Sequence, residues 1–306
     1  MLACDVCAKG IQKEKSNDLK EFLNLQNISE YPFVHQDHNY IYLYKHVRFS
    51  NGSLAILKDG TIRFTPPAEF NDPFDCVYGI SEDHFHSATE LRSIIQKGGL
   101  PKVSPAKRIL LARQVKHVQK KEMDDLSYFR KLHENFGVCC LNHNPLNILM
   151  WSHYAENHTG FLIEFKFSKK ELQEGLELLN FLPIPVQYLS SIPIVSKVDR
   201  KNLESPAITN KVYLSKAIDW EYEKEFRILK HEIKNPIQKF PKEKLLCTVI
   251  SGIKIEDSNK KLLKKICEEQ KIPFYVAERI PNEPYRVCRR VNILRDYPDD
   301  KIKIYP

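Results

Sequence analysis

The stretch WEYEKEFRIL, residues 220–229, places three glutamates within five positions of a segment that otherwise reads as a strand. Alternate side chains of an extended chain share a face, so the glutamates and Arg227 are predicted to project from one side. The apolar residues between them project from the other side. The charged face is then either a solvated salt ladder or the wall of a functional site.

The composition is that of an ordinary globular protein. The chain has 306 residues, of which 42% are hydrophobic and 28% are charged. It contains no apolar run of membrane-spanning length, and the apolar patch in MLACDVCAKGIQKEKS is too short for an export signal. We therefore expect a cytoplasmic protein with no membrane partner.

The eight cysteines are scattered along the chain and are predicted to be reduced thiols. Cys4 and Cys7 form a CxxC pair, but no second pair follows. A structural zinc site needs four ligands, so we predict an N-terminal tail here and no metal site.

Several enzyme classes are excluded by missing motifs. The ten glycines form no GxG pair and no phosphate-binding GxxxxGK loop, and the chain has neither HExxH nor GxSxG. The net charge of +8 permits a nucleic-acid or other phosphate-bearing partner. The alternative for lysine-rich segments such as SNKKLLKKICEEQ, residues 258–270, is the solvated face of an amphipathic helix.

The pattern along the chain predicts an N-terminal appendage at 1–39, with a short helix at 18–25, and a single α+β domain at 40–306. A charged helical insertion is expected at about 87–133. Strands are predicted at 39–49, 61–65, 136–141, 160–167, 184–189, 222–229, 245–255, 273–278 and 290–294. Because strands and helices do not alternate regularly, we expect a mixed or antiparallel central sheet.

A helix is predicted within NPLNILMWSHYAENHTG, residues 144–160, with Asn144 as its cap and Gly160 as its stop. A second helix is predicted within SLAILKDG, residues 53–60, and is closed by Gly60.

Four segments carry a resemblance to a known family: LYKHVRF with the FNDPF turn downstream, MWSHYAENHTG, and WEYEKEFR. In this order and spacing they resemble the bacterial domain-of-unknown-function family 2971 over about residues 40–229. This resemblance identifies a family and implies no activity.

A more distant resemblance concerns the ADP-ribosyltransferase fold, which shares the order of a strand with a basic residue, a short helix ending in DG, a second strand, a tyrosine-bearing helix and a late glutamate-led strand. It implies that Lys45 or His46, with Tyr154, lines an NAD pocket. It also implies that Glu225 is catalytic, with Glu223 beside it.

The chemistry of these residue types agrees with that implication. A carboxylate near the ribose of NAD can stabilise the oxocarbenium-like state that forms when nicotinamide leaves. A second carboxylate can orient or deprotonate an acceptor. Lys45, His46, Arg48 or Arg63 can hold the pyrophosphate, and Trp151 or Tyr154 can stack on a ring. The alternatives remain a salt ladder for the glutamates and a core position for the two aromatic residues.

Two functions are therefore open. The first is NAD-dependent ADP-ribosyl transfer to a nucleic-acid or protein acceptor, as a toxin or phage-defence effector. The second is a non-catalytic or nuclease-like nucleic-acid-binding module that uses the basic surface. The oligomeric state is left open.

The resemblance makes one geometric prediction. Lys45, His46, Tyr154, the two glutamates and Arg227 should converge on one cleft although they lie far apart in sequence. A structure tests this directly. A Glu225 side chain facing bulk solvent more than about 10 Å from Lys45 and His46, roughly three residues of strand, would contradict it.

Overall fold

The computed structural model describes residues 39–81, 93, 104–124, 136–174, 181–195, 211–231, 233–279 and 287–290. The predicted appendage helix at 18–25 lies outside the described residues. The strands are β1 Tyr40–Val47, β2 Thr61–Arg63, β3 Gly79–Ile80, β4 Gly137–Asn142, β5 Phe161–Ser168, β6 Ile184–Pro185, β7 Gln187–Leu189, β8 Ile194–Val195, β9 Ser215–Ala217, β10 Glu225–Lys230, β11 Ile237–Lys239, β12 Leu246–Ser251, β13 Phe274–Arg279 and β14 Val287–Arg290. The α-helices are α1 Asn51–Lys58, α2 Pro105–Asp124, α3 Ile148–His153, α4 Lys169–Glu174, α5 Lys242–Leu245 and α6 Asp257–Glu269, and segments Pro67–Glu69 and Ile218–Glu223 are 3-10 helices.

Eight of the described strands form one sheet in the order β14-β13-β12-β5-β1-β4-β10-β6. Its neighbouring strands run antiparallel except β12 and β13, which are parallel. The prediction of an α+β protein with a mixed, mostly antiparallel sheet is thus confirmed.

The sheet is split between β1 and β4. Strand β1 pairs with β5 at eight positions, and β4 pairs with β10 at six. Within the described residues, β1 and β4 pair at a single position, Tyr44 opposite Asn142. Beyond that pair, Lys45 Nζ donates to the backbone oxygen of Cys140 at 2.9 Å. The two central strands therefore separate at one end and leave room for a pocket.

Both faces of the sheet are covered. Ile41 and Leu43 of β1 point into the larger apolar cluster, which also contains side chains of α1 and α6. Tyr42 and Tyr44 point to the other face, where they pack in a smaller cluster with Trp151 of α3. This alternation is the period of two that a strand requires. The split consequently opens into the protein near α3.

Helix α1 ends before Gly60 as predicted, but it begins at Asn51, two residues before the predicted start. The Ser50 hydroxyl accepts a hydrogen bond from the Ser53 backbone, while the Ser53 hydroxyl accepts one from Ser50 N–H, and together they form a capping box. Gly60 then adopts a φ of +61°, a left-handed conformation that ends helices readily. The short helix lets β1 and β2 lie close together in sequence.

Other predicted elements are confirmed with changed lengths. Helix α2 covers part of the predicted insertion at 87–133, and the remainder of that range, apart from residues 93 and 104, lies outside the described residues. The predicted strand at 184–189 is two short strands, β6 and β7, which pair with β10 and β9 respectively. No helix in the described part of the chain is long and apolar enough to cross a membrane.

Gly160 gives a prediction for the fold. A Cβ added there would lie 2.1 Å from Val47 O and 3.0 Å from Ala155 O, so Gly160→Ala forces backbone apart. We expect a loss of about 1–3 kcal/mol or more in the free energy of unfolding, measured with urea. The matched control is Gly52→Ala in α1, whose added Cβ would meet Ser50 Oγ at 3.9 Å. That variant should be neutral or stabilising, and equal stability of the two variants would contradict the packing argument.

Candidate active site

The split sheet forms a pocket of about 540 Å³. This volume falls within the range of about 300–1,000 Å³ that is usual for small-molecule sites. Its walls come from β1, β4, α3, the loop after β2, β9, the 3-10 helix Ile218–Glu223 and β10. The lining residues are Lys45, His46, Arg48, Thr65, Glu69, Phe70, Asn71, Asp75, Val138, Cys140, Leu141, Asn142, Met150, His153, Tyr154, Lys216, Glu223 and Glu225.

One wall of the pocket is a buried cluster of five charged groups. Lys216 Nζ lies 2.5 Å from Glu223 Oε2, 3.0 Å from Glu225 Oε2 and 3.6 Å from Asp75 Oδ2. Arg227 Nε lies 2.8 Å from Glu225 Oε1, and its Nη2 lies 2.6 Å from Asp75 Oδ2. Each of these residues is less than a tenth exposed. We call this set the charge cluster.

The two glutamates reach the cluster by a different route from the one predicted. The expected strand through residues 220–224 is wrong, because Ile218–Glu223 form a 3-10 helix and Lys224 has a φ of +46°. The left-handed turn redirects the chain, and β10 begins only at Glu225. Glu221 is therefore exposed and pairs with Lys224 outside the cluster. From Glu225 onward the predicted alternation holds.

The backbone of Glu225 is also fixed. Its N–H donates to the Tyr188 hydroxyl at 2.7 Å, and its carbonyl accepts from Val186 N–H at 3.0 Å. Arg227, which is fully buried, donates from Nη1 to Tyr213 O at 2.8 Å. The position of the Glu225 carboxylate is thus fixed by the hydrogen bonds of its backbone and by its ion pairs.

The electrostatics separate the two carboxyl groups. Burial disfavours ionisation of both. For Glu225, the ion pairs with Arg227 and Lys216 outweigh burial and lower its pKa to about 2. For Glu223, burial dominates over the attraction of Lys216, and the neighbouring Glu225 adds to it, so its pKa is raised. A pair of adjacent carboxyl groups with pKa values driven apart is a typical feature of acid–base sites.

Helix α3 brings Tyr154 to the same wall. The Tyr154 hydroxyl donates to Glu223 Oε1 at 2.6 Å. The cap of this helix is Asn147, whose Oδ1 accepts from Leu149 N–H. The prediction of Asn144 as the cap is wrong, because its side chain forms a local turn by accepting from Leu146 N–H. The helix is consequently six residues long and ends at His153, immediately before Tyr154.

The segment after α3 is a turn with three consecutive residues in the left-handed backbone region. Glu156, Asn157 and His158 all have positive φ values, between 50° and 71°. The turn they form is held by hydrogen bonds from His158 N–H to Trp151 O and from Gly160 N–H to Ala155 O. This turn takes the place of the last part of the predicted helix. It also sets the direction of the chain after Tyr154.

The other wall carries basic side chains from β1 and its end. Lys45, His46 and Arg48 all line the pocket. Asn142 Nδ2 donates to Tyr44 O at 3.1 Å and lies 3.0 Å from His46 Nδ1. Because an amide nitrogen can only donate, His46 Nδ1 accepts, and burial lowers its pKa to about 3. His46 therefore enters the site as a neutral imidazole.

The structure brings five of the seven predicted site residues to one pocket: Lys45, His46, Tyr154, Glu223 and Glu225. Trp151 and Arg227 lie behind the lining, at 1% and 0% exposure, and were expected to contact the cofactor. Trp151 supports His46 instead, with ring centroids 5.1 Å apart, and donates from Nε1 to Pro145 O at 2.8 Å. Arg227 holds Glu225 and Asp75. Arg63, another predicted phosphate ligand, does not line the pocket but pairs with Glu69, which does.

Sequence reasoning missed two members of the charge cluster, Lys216 and Asp75. Asp75 directly follows the FNDPF turn, and Lys216 lies four residues before WEYEKEFR. Lys216 lies on a strand of three residues, too short for a periodic signal. A charged residue beside a motif that carries the family resemblance was the available clue.

No group of three or more histidine, cysteine, aspartate or glutamate side chains suited to a metal ion occurs within the part of the chain that the structure describes. At the point where Asp75, Glu223 and Glu225 converge, the cation is the Lys216 ammonium.

Buried histidines give a pH prediction. Burial lowers the pKa of both His46 and His143 to about 3, whereas an unfolded histidine titrates near 6.5. The unfolded chain therefore binds protons that the folded protein does not bind. The free energy of unfolding consequently falls as the pH drops from 6.5 towards 3. Between pH 8 and pH 5 each histidine should cost about 2 kcal/mol, measured by urea unfolding. His46→Asn keeps an acceptor for Asn142 and should flatten the profile, whereas His153→Gln, at an exposed position, should leave it unchanged.

Substitution of Trp151 and of Trp220 distinguishes a role in packing from a role in stacking on a ligand. Trp151 is buried, so Trp151→Ala should lower the free energy of unfolding by about 3–5 kcal/mol. Trp220 is only partly buried, with Lys216 Nζ 5.0 Å from its ring, and Trp220→Ala should cost clearly less. Equal melting temperatures for the wild type and Trp151→Ala would show that this side chain does not hold α3 in place.

Comparison with known proteins finds a similarity to one family over the central motifs. The model of the family described as "Protein of unknown function (DUF2971)" matches residues 150–228, a range that begins within α3, includes the left-handed turn after it and ends at Ile228 in β10. No curated protein and no solved structure matches the chain significantly. Over residues 150–228, which include Tyr154, Lys216 and both cluster glutamates, the chain is therefore similar to this family of uncharacterised proteins.

Proposed function

We propose that this protein is an NAD-dependent ADP-ribosyltransferase that modifies a nucleic-acid or protein acceptor. The observation that carries the proposal is the charge cluster. It presents Glu223 and Glu225 to a pocket of about 540 Å³ that also contains Lys45, His46 and Arg48. Carboxylates and basic groups in one pocket suit a substrate that combines a positively charged leaving group with a pyrophosphate.

The carboxylate side of the pocket fits the reacting centre. Glu225, ionised through Arg227 and Lys216, stabilises positive charge that develops on the ribose as the bond to nicotinamide breaks. The electron pair of that bond leaves with nicotinamide. Glu223 lies beside it and accepts the proton that the acceptor loses as it bonds to the ribose carbon. Tyr154, within 2.6 Å of Glu223, borders the same space.

The basic side of the pocket fits the phosphates. Lys45 retains donors beyond the one it gives to Cys140 O, and Arg48 is exposed at the end of β1. An ammonium and a guanidinium can bind a pyrophosphate in place of a glycine-rich loop. Neutral His46, whose Nδ1 accepts from Asn142, can donate a hydrogen bond from Nε2 without adding charge.

Glutamate-to-glutamine variants test the proposal. Glu225→Gln keeps the shape of the side chain but removes its charge, so NAD turnover should fall on the order of 10²–10³-fold or more. Glu223→Gln should reduce transfer to an acceptor more than NAD hydrolysis. The matched control is Glu221→Gln, which removes an exposed glutamate of the same 3-10 helix and should leave activity unchanged.

The measurements are calorimetric titration with NAD and intact-mass analysis of DNA, RNA and protein acceptors after incubation with NAD. If the wild-type protein neither binds NAD nor modifies any acceptor in a cell extract, the transferase proposal is wrong. The nucleic-acid-binding alternative would then be tested by the salt dependence of binding to DNA and RNA.

A further inference from the structure

Lys216 is the one cluster member that touches both glutamates through its own side chain. Its ammonium lies 2.5 Å from Glu223 and 3.0 Å from Glu225, and Asp75 approaches it at 3.6 Å. It lies on β9, which pairs in parallel with β7, so its backbone is fixed independently of β10. Lys216 therefore sets the position and the charge of two carboxylates at once.

The charges of the cluster do not balance. Asp75, Glu223 and Glu225 face Lys216 and Arg227, so one negative charge is in excess when all five groups are ionised. Buried excess charge is costly, and a proton taken up by one carboxylate removes it. The geometry decides which carboxylate that is.

The two glutamates differ in their partners. Glu225 accepts from Arg227 at 2.8 and 3.2 Å and from Lys216 at 3.0 Å, so both cations hold it. Glu223 has Lys216 as its cation, and its second oxygen accepts from the neutral Tyr154 hydroxyl. Of the two glutamates, Glu223 thus gains a proton at the lower cost.

We propose that Lys216 is a positioning residue that keeps Glu225 ionised and poises Glu223 as the carboxylate that exchanges a proton with the acceptor. In its mechanistic part this inference rests on the proposed function. The acceptor's nucleophile bonds to the ribose carbon, the bond from that carbon to nicotinamide breaks with its electron pair on nicotinamide, and the acceptor's proton passes to Glu223. The division of roles agrees with the raised pKa of Glu223 and the lowered pKa of Glu225.

Among the described residues, Lys216 of β9 and Tyr154 at the end of α3 donate to Glu223, and Glu225 of β10 lies beside it. Tyr222 of its own 3-10 helix also faces it. Tyr188 of β7 faces both glutamates, and its hydroxyl accepts from the Glu225 N–H. Loss of Lys216 therefore removes the cation in direct contact with Glu223.

The first experiment does not depend on NAD. The wild-type protein, labelled with ¹³C at the glutamate carboxyl groups, is titrated by NMR, with Glu223 and Glu225 assigned from their glutamine variants. Lys216→Met should raise the pKa of both carboxyl groups by about 1–3 units, because an opposite charge within hydrogen-bond distance is lost. Lys216→Arg should restore much of the shift. The matched control is Lys224→Met, a neighbouring lysine that pairs with exposed Glu221 and should leave both values unchanged.

A second variant guards against loss of folding. Lys216→Met alone adds to the buried excess of negative charge, whereas Lys216→Met with Asp75→Asn keeps the excess at the wild-type value. The pKa of Glu223 should be raised in this double variant as well. Unchanged pKa values of Glu223 and Glu225 in a folded variant without Lys216 would overturn the inference.

The second experiment separates this inference from the proposed function. In the transfer reaction, loss of the ammonium should move the acidic limb of the pH–rate profile upward by about 1–3 units, and Lys216→Arg should return it. A purely structural role would lower the rate without moving the limb, and that result would overturn the mechanistic part. A wild-type protein without NAD activity but with the predicted NMR shifts would remove the transferase proposal and leave the role of Lys216 in setting carboxylate charge.

Discussion

The rest of the site depends on the pairing of five charges inside the protein. A buried ion left without its partner costs several kcal/mol, so Asp75, Lys216, Glu223, Glu225 and Arg227 are stable only when all five are in place. They come from the loop after β2, from β9, from a 3-10 helix and from β10. The ion pairs of the charge cluster therefore hold together segments that are distant in sequence. Replacing one member of the cluster disturbs the others. A variant that changes the net charge of the cluster must therefore be compared with a variant that preserves it.

The split sheet explains why so polar a cluster can border a pocket. A continuous ladder between β1 and β4 would fill this space with backbone hydrogen bonds, as it does between β1 and β5. The pair Tyr44 and Asn142 instead ends the contact between the two strands, and the Asn142 side chain satisfies Tyr44 O and His46 Nδ1 at the point of separation. The Asn142 amide thus supplies hydrogen bonds at the point where the backbone ladder between β1 and β4 ends. Lys45, Tyr154 and the charge cluster are hydrogen-bonded within the pocket walls, whereas His46 Nε2 is buried without a hydrogen-bond partner among the described residues.

The sequence predicted the sheet better than it predicted the route into the site. Strands β1, β4, β5 and β12 are short runs rich in apolar, β-branched and aromatic residues, and this composition predicts them directly. Residues 220–224 alternate as a strand would only by coincidence, and the left-handed Lys224 is not visible in composition because it is not a glycine. The three positive φ values at 156–158 have the same cause, since neighbouring backbone contacts, rather than residue type, impose them. Residue types predicted which side chains are chemically suited to the site, whereas tertiary contacts decide how the chain delivers them.

The two interpretations of the glutamates, a salt ladder and a pocket wall, are not exclusive. A solvated ladder contributes little, because water competes with each ion pair. Here the pairs are buried, and one end of the network faces a pocket. Arg227, wholly inside, holds Glu225 from behind, while Lys216 reaches forward to Glu223 at the lining. Ion pairing is therefore what makes a pocket wall of adjacent carboxylates stable, and its uneven distribution makes the two carboxylates chemically different. The same ion pairs that stabilise the core thus present to the pocket two carboxyl groups whose pKa values are shifted in opposite directions.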